Sequence, residues 1–374
     1  MEPMADASSY EQRLMDRAWS NKIPMNASIE LLPLCNMNCD MCYVRLSRKE
    51  MEGLGRMRTA SEWLEVGRQM QKAGVLFLLL TGGEPLLHPE FKEIYLGLRS
   101  MGMILTLNTN GTLIDEEWAD FFAENPPRRI NISLYGSSRE TYERLCHYAD
   151  GYDKTIHAVK LLKERQVDVR LGCSITNENL EDLEGIYKLQ EELEIFTISD
   201  PYMVAATRER EKDFAYEVRC HPEKAAENKI YGLKKMIGEE AFPSYVKQKV
   251  FEVQHILPGE GPGRVTCYAG NCSFAISWLG DMHPCVTMYQ PSANVFELGV
   301  EKAWEYLKDE VSKILTSERC NQCNLRPVCS TCAGNCLVET GAYDQVSDYI
   351  CRMAKETYRL LLIEAEKLED EAKV

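Results

Sequence analysis

Long apolar runs are missing from this chain of 374 residues. Nothing in it approaches the roughly 20 residues needed to span a bilayer, and the longest candidate, 75–80 with its neighbours, has the length of a buried strand. The opening stretch MEPMADASSYEQR is acidic and polar. It lacks the apolar centre of a secretion signal, so a cytoplasmic location with no membrane partner is the expectation. Positive charge is scarce as well: 43 Lys and Arg stand against 58 Asp and Glu, for a formal charge of -15. That balance argues against a broad surface for phosphate backbones, and no nucleic-acid partner is expected. There is no internal repeat and no low-complexity tract. With 45% hydrophobic residues the chain can bury a substantial core, enough for one large domain and a smaller one.

What is abundant is cysteine. There are fifteen, and the odd number and the expected reducing compartment both disfavour a disulfide framework. Cys35, Cys39 and Cys42 form one group, and nine more fall between Cys267 and Cys351. Cys146, Cys173 and Cys220 stand alone and read as small buried residues.

Between about residues 26 and 200, strand-like runs alternate with amphipathic helical stretches, the pattern of βαβ units and a parallel sheet. Strands are expected at 27–32, 75–80, 104–107, 130–134, 167–172 and 195–199, and helices at 60–72, 89–99, 115–123, 152–164 and 180–193. Six strand–helix pairs fall short of a closed eightfold barrel, so the predicted fold class is α/β, a partial (β/α)6 TIM-like barrel. The unusual polar segments CNMNC, TGGEP, NTNG, SLYG and SITNEN each follow a strand. Loops at the carboxyl ends of parallel strands converge on one face, which places these segments around one pocket. Beyond 200 come charged helical patterns at 217–237 and 243–253, then a Pro and Gly cluster at 258–263 that reads as a domain boundary. The cysteine-dense remainder has little periodicity, as expected of a small domain organised by metal. Residues 352–372 read as a surface helix. Expected segments are thus a helical tail at 1–25, the barrel at 26–200, a helical bridge at 201–263, a metal-organised domain at 264–355 and a helix at 356–374.

Cys35-x3-Cys39-x2-Cys42 puts three thiols on the loop leaving the first strand. Three thiolates can hold three irons of a four-iron, four-sulfur cluster and leave the fourth iron open. A structural zinc site is the competing reading, although no nearby His or fourth Cys completes it. Followed by Tyr43, this spacing resembles the signature of the radical S-adenosylmethionine (SAM) superfamily. The resemblance implies SAM bound at the open iron of a [4Fe-4S] cluster and cleaved to a 5′-deoxyadenosyl radical, with reduced ferredoxin or flavodoxin as electron donor. It also implies that Gly82, Gly83, Glu84 and Pro85 bind the SAM amino group, and that Asn108, Asn110 and Ser133 line the SAM site, with Ser133 at the ribose. It assigns no catalytic base. His88 and His283 read as loop residues rather than ligands.

The second group reads Cys267-x4-Cys272-x12-Cys285, then Cys320-x2-Cys323-x5-Cys329-x2-Cys332-x3-Cys336, and Cys351. By spacing alone, zinc is an alternative to iron and sulfide. The run is similar to the SPASM extension of radical SAM enzymes that modify peptides, which implies two auxiliary [4Fe-4S] clusters. Carried over, one would use Cys267, Cys272, Cys285 and Cys336; the other would use Cys320, Cys323, Cys351 and either Cys329 or Cys332. Val286 and Thr287 follow Cys285, where sulfatase-maturing members of the family carry an aspartate. The function expected is therefore oxidative maturation of a ribosomally made peptide by a thioether or carbon–carbon cross-link. Alternatives are sulfatase maturation, haem or quinone cofactor synthesis, and a non-catalytic zinc-binding module. Only 34 residues precede Cys35, so the resemblance implies a separate leader-binding protein or recognition by the bridge.

Overall fold

The computed structural model describes residues 9–204 and 218–371. Six parallel strands, β1 Asn26–Glu30, β2 Phe77–Thr81, β3 Ile104–Thr109, β4 Arg129–Ser133, β5 Val169–Ser174 and β6 Thr197–Asp200, follow one another in order across one sheet. Each crossover carries a helix onto the outer face, as parallel connections require. The helix Ala60–Ala73 illustrates why the chain folds this way locally. Thr59 and Glu62 close a capping box, Gly74 ends the helix at φ 106, and Trp63, Val66, Gly67 and Met70 are buried at helical spacing. On the next two helices, Phe91, Tyr95, Trp118, Phe121 and Phe122 pack with ring centroids 5.3–5.9 Å apart. One continuous core lies between sheet and helices.

The expected strands all form, displaced by one or two residues at their ends. Short helices at Arg48–Leu54 and Arg139–Cys146 add to the expected set. The cysteine-rich region begins by joining the same sheet. After the two-residue strand β7 Gly263–Arg264, β8 Ser273–Ile276 pairs in parallel with β1, Asn26 opposite Ser273. β9 Asp281–His283 and β10 Ala293–Asn294 then extend the same sheet antiparallel, making nine strands in the order β10-β9-β8-β1-β2-β3-β4-β5-β6. Position 263 therefore does not divide two sheets. The residues beyond 294 do leave it: the two-residue strand β11 Leu315–Thr316 pairs only with β7, and the remaining cysteines lie in or between short helical turns, except Cys351 in the final helix.

The bridge is packed rather than extended. The helices Pro222–Ile237 and Phe242–His255 lie against the final helix, with Phe242, Val246, Val253, Val328 and Leu361 forming a second core. That final helix runs Asp348–Glu371, so it starts earlier than expected and carries Cys351 in its first turn. Residue 217, where the first bridge helix was expected to begin, and residue 372, where the last was expected to end, lie outside the described residues. At the other end of the chain, Met15 and Ala18 of the helix Ser9–Asn21 pack with Phe77 and Cys272. Among the described residues, no helix is long and apolar enough to cross a membrane.

Candidate functional site

The loop bearing the first three cysteines is fastened by backbone pairing that outlasts the strands. Beyond β1 and β2, Leu31 N–H donates to Thr81 O at 2.9 Å, Gly83 N–H to Leu32 O at 2.8 Å and Glu84 N–H to Leu34 O at 2.8 Å. The approach is close enough to demand glycine. A Cβ on Gly82, which has φ +151, would come 2.5 Å from Leu32 O, and one on Gly83 would come 2.2 Å from Leu34 O. The glycines of TGGEP thus bring this loop against the Cys35 loop. Pro85, buried, opens a short turn over Pro85–Leu87.

Glu84 ties in the next loop. It is 0% exposed, and its carboxylate accepts from Thr109 Oγ1 at 2.8 Å, Asn110 N at 2.8 Å and Leu86 N at 3.1 Å. Burial pushes its pKa up to about 7 against the opposing pull of those donors. Glu84 braces β2 against β3. The side chain of Asn110 carries the brace onward: Nδ2 donates to Asn36 Oδ1 at 2.9 Å and approaches Cys35 Sγ at 3.6 Å, while Oδ1 accepts from Thr112 N at 2.9 Å.

Each thiol of the loop has its own setting. Cys35 Sγ also accepts from Met37 N at 3.4 Å, and Cys42 Sγ accepts from Arg45 N at 3.3 Å. Burial pushes the Cys35 thiol up to about 12, with Glu84, Cys39 and Cys42 adding to the effect. The Cys39 thiol is pushed well up by a side-chain hydrogen bond with Cys146 and by burial. Cys146 ends the helix Arg139–Cys146, whose last carbonyls at Leu145 and Cys146 accept from Asp40 N and Asn38 N at 3.0 Å. Sequence reading made Cys146 an ordinary buried residue. It is fully buried, yet it touches the loop, a placement that no local pattern signals. Among the described residues, no three His, Cys, Asp or Glu side chains converge as the ligands of a single ion do; the cysteines stand in spread groups.

Beside this loop, a cavity of about 350 Å³ opens at the carboxyl ends of β3 to β6, lined among others by Asn108, Asn131, Ser133, Tyr135, Arg170 and Asp200. Asn131 Nδ2 donates to Asn108 Oδ1 at 2.8 Å, and Arg170 Nε donates to Asn131 Oδ1 at 3.1 Å, so a polar ladder crosses three strands. Asn108 and Ser133 were expected here. Tyr135 belongs to the SLYG segment expected around the pocket; Asn131 and Arg170 were not expected, although alternation along the strands would have placed them on the same face. Tyr135 joins loop and cavity: burial chiefly, and then nearby Cys39, hold its hydroxyl well above the usual phenol range despite a hydrogen bond with Ser133. His88 accepts from Glu90 N at 3.2 Å and pairs with Arg58 O at 2.9 Å, a loop role as expected.

Five of the nine C-terminal cysteines, Cys267, Cys320, Cys329, Cys332 and Cys336, line a second cavity of about 490 Å³ together with Arg326. Here too backbone amides point at sulfur: Leu325 N to Cys323 at 3.4 Å and Asn335 N to Cys332 at 3.4 Å. Cys285 Sγ lies 3.5 Å from Thr287 Oγ1. Lys229, from the bridge, donates to Val328 O and Ser330 Oγ at 3.0 Å and so flanks Cys329. A buried ion pair ties the chain just after the barrel to the helix Ala333–Thr340. Arg219 Nη2 meets Glu339 Oε1 at 2.5 Å, each side chain 3% exposed, and Tyr202 Oη donates to the same carboxylate at 2.7 Å.

Residues 29–189 match the Radical SAM superfamily. The AdoMet-dependent heme synthase of Methanosarcina barkeri (strain Fusaro / DSM 804) is 24% identical over 334 residues, covering 86% of this chain and 94% of its own. The antilisterial bacteriocin subtilosin biosynthesis protein AlbA of Bacillus subtilis (strain 168) is 24% identical over 353 residues, covering 90% and 73%. Among solved structures, Streptococcus suis SuiB bound to S-adenosylmethionine shares the fold with a TM-score of 0.65 at 18% identity, over 92% of this chain and 83% of that one. The same protein bound to its precursor peptide SuiA gives a TM-score of 0.63.

Proposed function

Residues 29–189 being a radical SAM domain, we propose that this protein is a radical SAM enzyme whose substrate is a peptide, oxidised to a thioether or carbon–carbon cross-link with the help of auxiliary clusters. Cys35, Cys39 and Cys42 would hold the first cluster. The amides of Met37 and Arg45 and the carboxamide of Asn110 already aim at two of those sulfurs, which is the donor set that thiolate ligands of a cluster call for. A [4Fe-4S] cluster with SAM on its open iron supplies a 5′-deoxyadenosyl radical that takes a hydrogen atom. The chain itself contributes placement. Gly82 and Gly83 admit the loop, Glu84 and Asn110 fix its height, and Asn108, Ser133 and Arg170 offer polar contacts in the adjoining cavity.

The observation that carries the cross-linking reading is the second cavity, with five thiols on its wall and no carboxylate directly after Cys285. A cross-link removes two hydrogen atoms from the peptide. One would leave as an atom and the other as a proton to solvent and an electron, for which a cluster held by these thiols would be the acceptor. A second reading, modification of a haem-type cofactor, is favoured by the M. barkeri relative. Anaerobic reconstitution followed by SAM cleavage, with cysteine-containing peptides and an iron porphyrin as alternative probes, separates the two. Peptide-dependent 5′-deoxyadenosine with loss of two hydrogens from the peptide is the expected result; turnover with porphyrin alone would overturn it.

A further inference from the structure

The family pattern assigns the last ligand of the cluster at Cys267, Cys272 and Cys285 to Cys336. The geometry places a different thiol there. The segment Cys332 to Gly334 lies directly on the turn that begins at Cys285. A Cβ added to Gly334 would come 2.6 Å from Thr287 Oγ1 and 3.3 Å from both Met288 N and Met288 Cβ, and that turn is closed by Met288 N donating to Cys285 O at 3.1 Å. Ala333, next to Cys332, shares one small core with Met288 and Ala269, and Cys267 and Cys285 both pack against it.

The two candidate thiols also differ in where they sit. Cys332 is the exposed cysteine of the chain, although both it and Cys336 line the cavity with Cys267. It is the N-cap of the helix Ala333–Thr340, where it accepts from Asn335 N; backbone amides at such a position favour a thiolate. Cys336 lies a turn further along the same helix, its Cα about 6 Å away by helix rise. It is 3% exposed, with Sγ 3.4 Å from Thr331 Oγ1. Cys329 caps the 3-10 turn Arg326–Val328, its N–H donating to Arg326 O, on the segment that continues directly from Cys320 and Cys323.

Resting on the auxiliary-cluster reading above, we infer that Cys332 joins Cys267, Cys272 and Cys285 as the fourth ligand of one cluster, that Cys329 joins Cys320, Cys323 and Cys351 in the other, and that Cys336 is a buried thiol outside both. The two alternatives left open by spacing are thereby both used, one in each cluster.

Alkylation by iodoacetamide under anaerobic conditions, read by peptide mass spectrometry, tests this on the intact protein. Cys332 is expected to be labelled in the iron-free chain and protected at least tenfold in the reconstituted one. In parallel, Cys332→Ala should lose about four of about twelve irons and Cys336→Ala should keep them all. Full iron with Cys332 still labelled, or four irons lost from Cys336→Ala but not from Cys332→Ala, would overturn the ligand assignment alone. A wild-type chain holding about four irons, all lost when Cys35, Cys39 and Cys42 are replaced by Ala, would remove the auxiliary clusters on which the assignment rests.

Discussion

The two cysteine fields are built in opposite ways. The first sits on a loop paired strand-like to its neighbour, with Gly83 N–H on Leu32 O and Glu84 N–H on Leu34 O, and it rests on the continuous core of the barrel. The second is divided: Cys272 and Cys285 flank β8 and β9 of the barrel's sheet, while the thiols from Cys320 to Cys336 sit on a two-residue ladder of β7 and β11, a 3-10 turn and short helices, beside a small core of Ala269, Met288 and Ala333. A loop held by backbone pairing and packing keeps its shape before any cofactor arrives. A segment with so little buried apolar surface owes its order to whatever its thiols bind, as in other small metal-organised units.

The contrast is strongest at the junction. Arg219→Met should cost about 3–5 kcal/mol, because Glu339 keeps Tyr202 and Ser347 as partners but loses its counter-charge in a buried site. Chemical denaturation of the iron-free chain reads it. A loss below 1 kcal/mol would mean that the two fields are not joined there. Gly83→Ala attacks the first field alone. With Leu34 O 2.2 Å from the new Cβ, the loop must shift, at about 3 kcal/mol or more. SAM cleavage should fall at least hundredfold while the irons of the C-terminal field remain. Equal loss from both fields would erase the distinction.

Glu84 gives the barrel a pH signature that the second field lacks. Its folded pKa of about 7 lies above the ordinary value of a glutamate, 4.5, so the folded state prefers the protonated form. The stability it lends is complete below about pH 4.5 and is lost as pH rises through about 7, a span worth roughly 3 kcal/mol. Urea midpoints of wild type and Glu84→Gln across that window should converge at low pH; parallel curves would deny the role. The smallest effect expected is that of Asn110→Ala, about 1–2 kcal/mol from the hydrogen bonds to Asn36 and Thr112, with a more negative potential for the first cluster because Cys35 loses a donor. An unchanged potential in a redox titration would place Asn110 outside the cluster's environment.

The alternation of strand and helix, the loop carrying Cys35, Cys39 and Cys42, and the polar segments after each strand were all legible along the chain, since each is a local pattern of period, turn residue or spacing. β8 was not: SFAI is four residues inside a cysteine-dense stretch, and its partner β1 lies more than two hundred positions earlier. The helix Arg139–Cys146 escaped for a similar reason, being only eight residues long. Glu84 looked like an acceptor for a ligand because its neighbours are glycines. Only folding revealed that it also accepts from Thr109, Asn110 and Leu86.

By itself, the sequence determined the fold class, the site of the first cysteine loop and the convergence of the strand-end loops, because the chain's own periodicity and short-range spacing dictate these. Which of Cys332 and Cys336 faces Cys285, that Cys146 touches Cys39, and that the C-terminal residues extend the barrel's own sheet were decided only in the tertiary structure. Those relations join residues far apart in sequence, and close packing rather than local preference sets the distances between them.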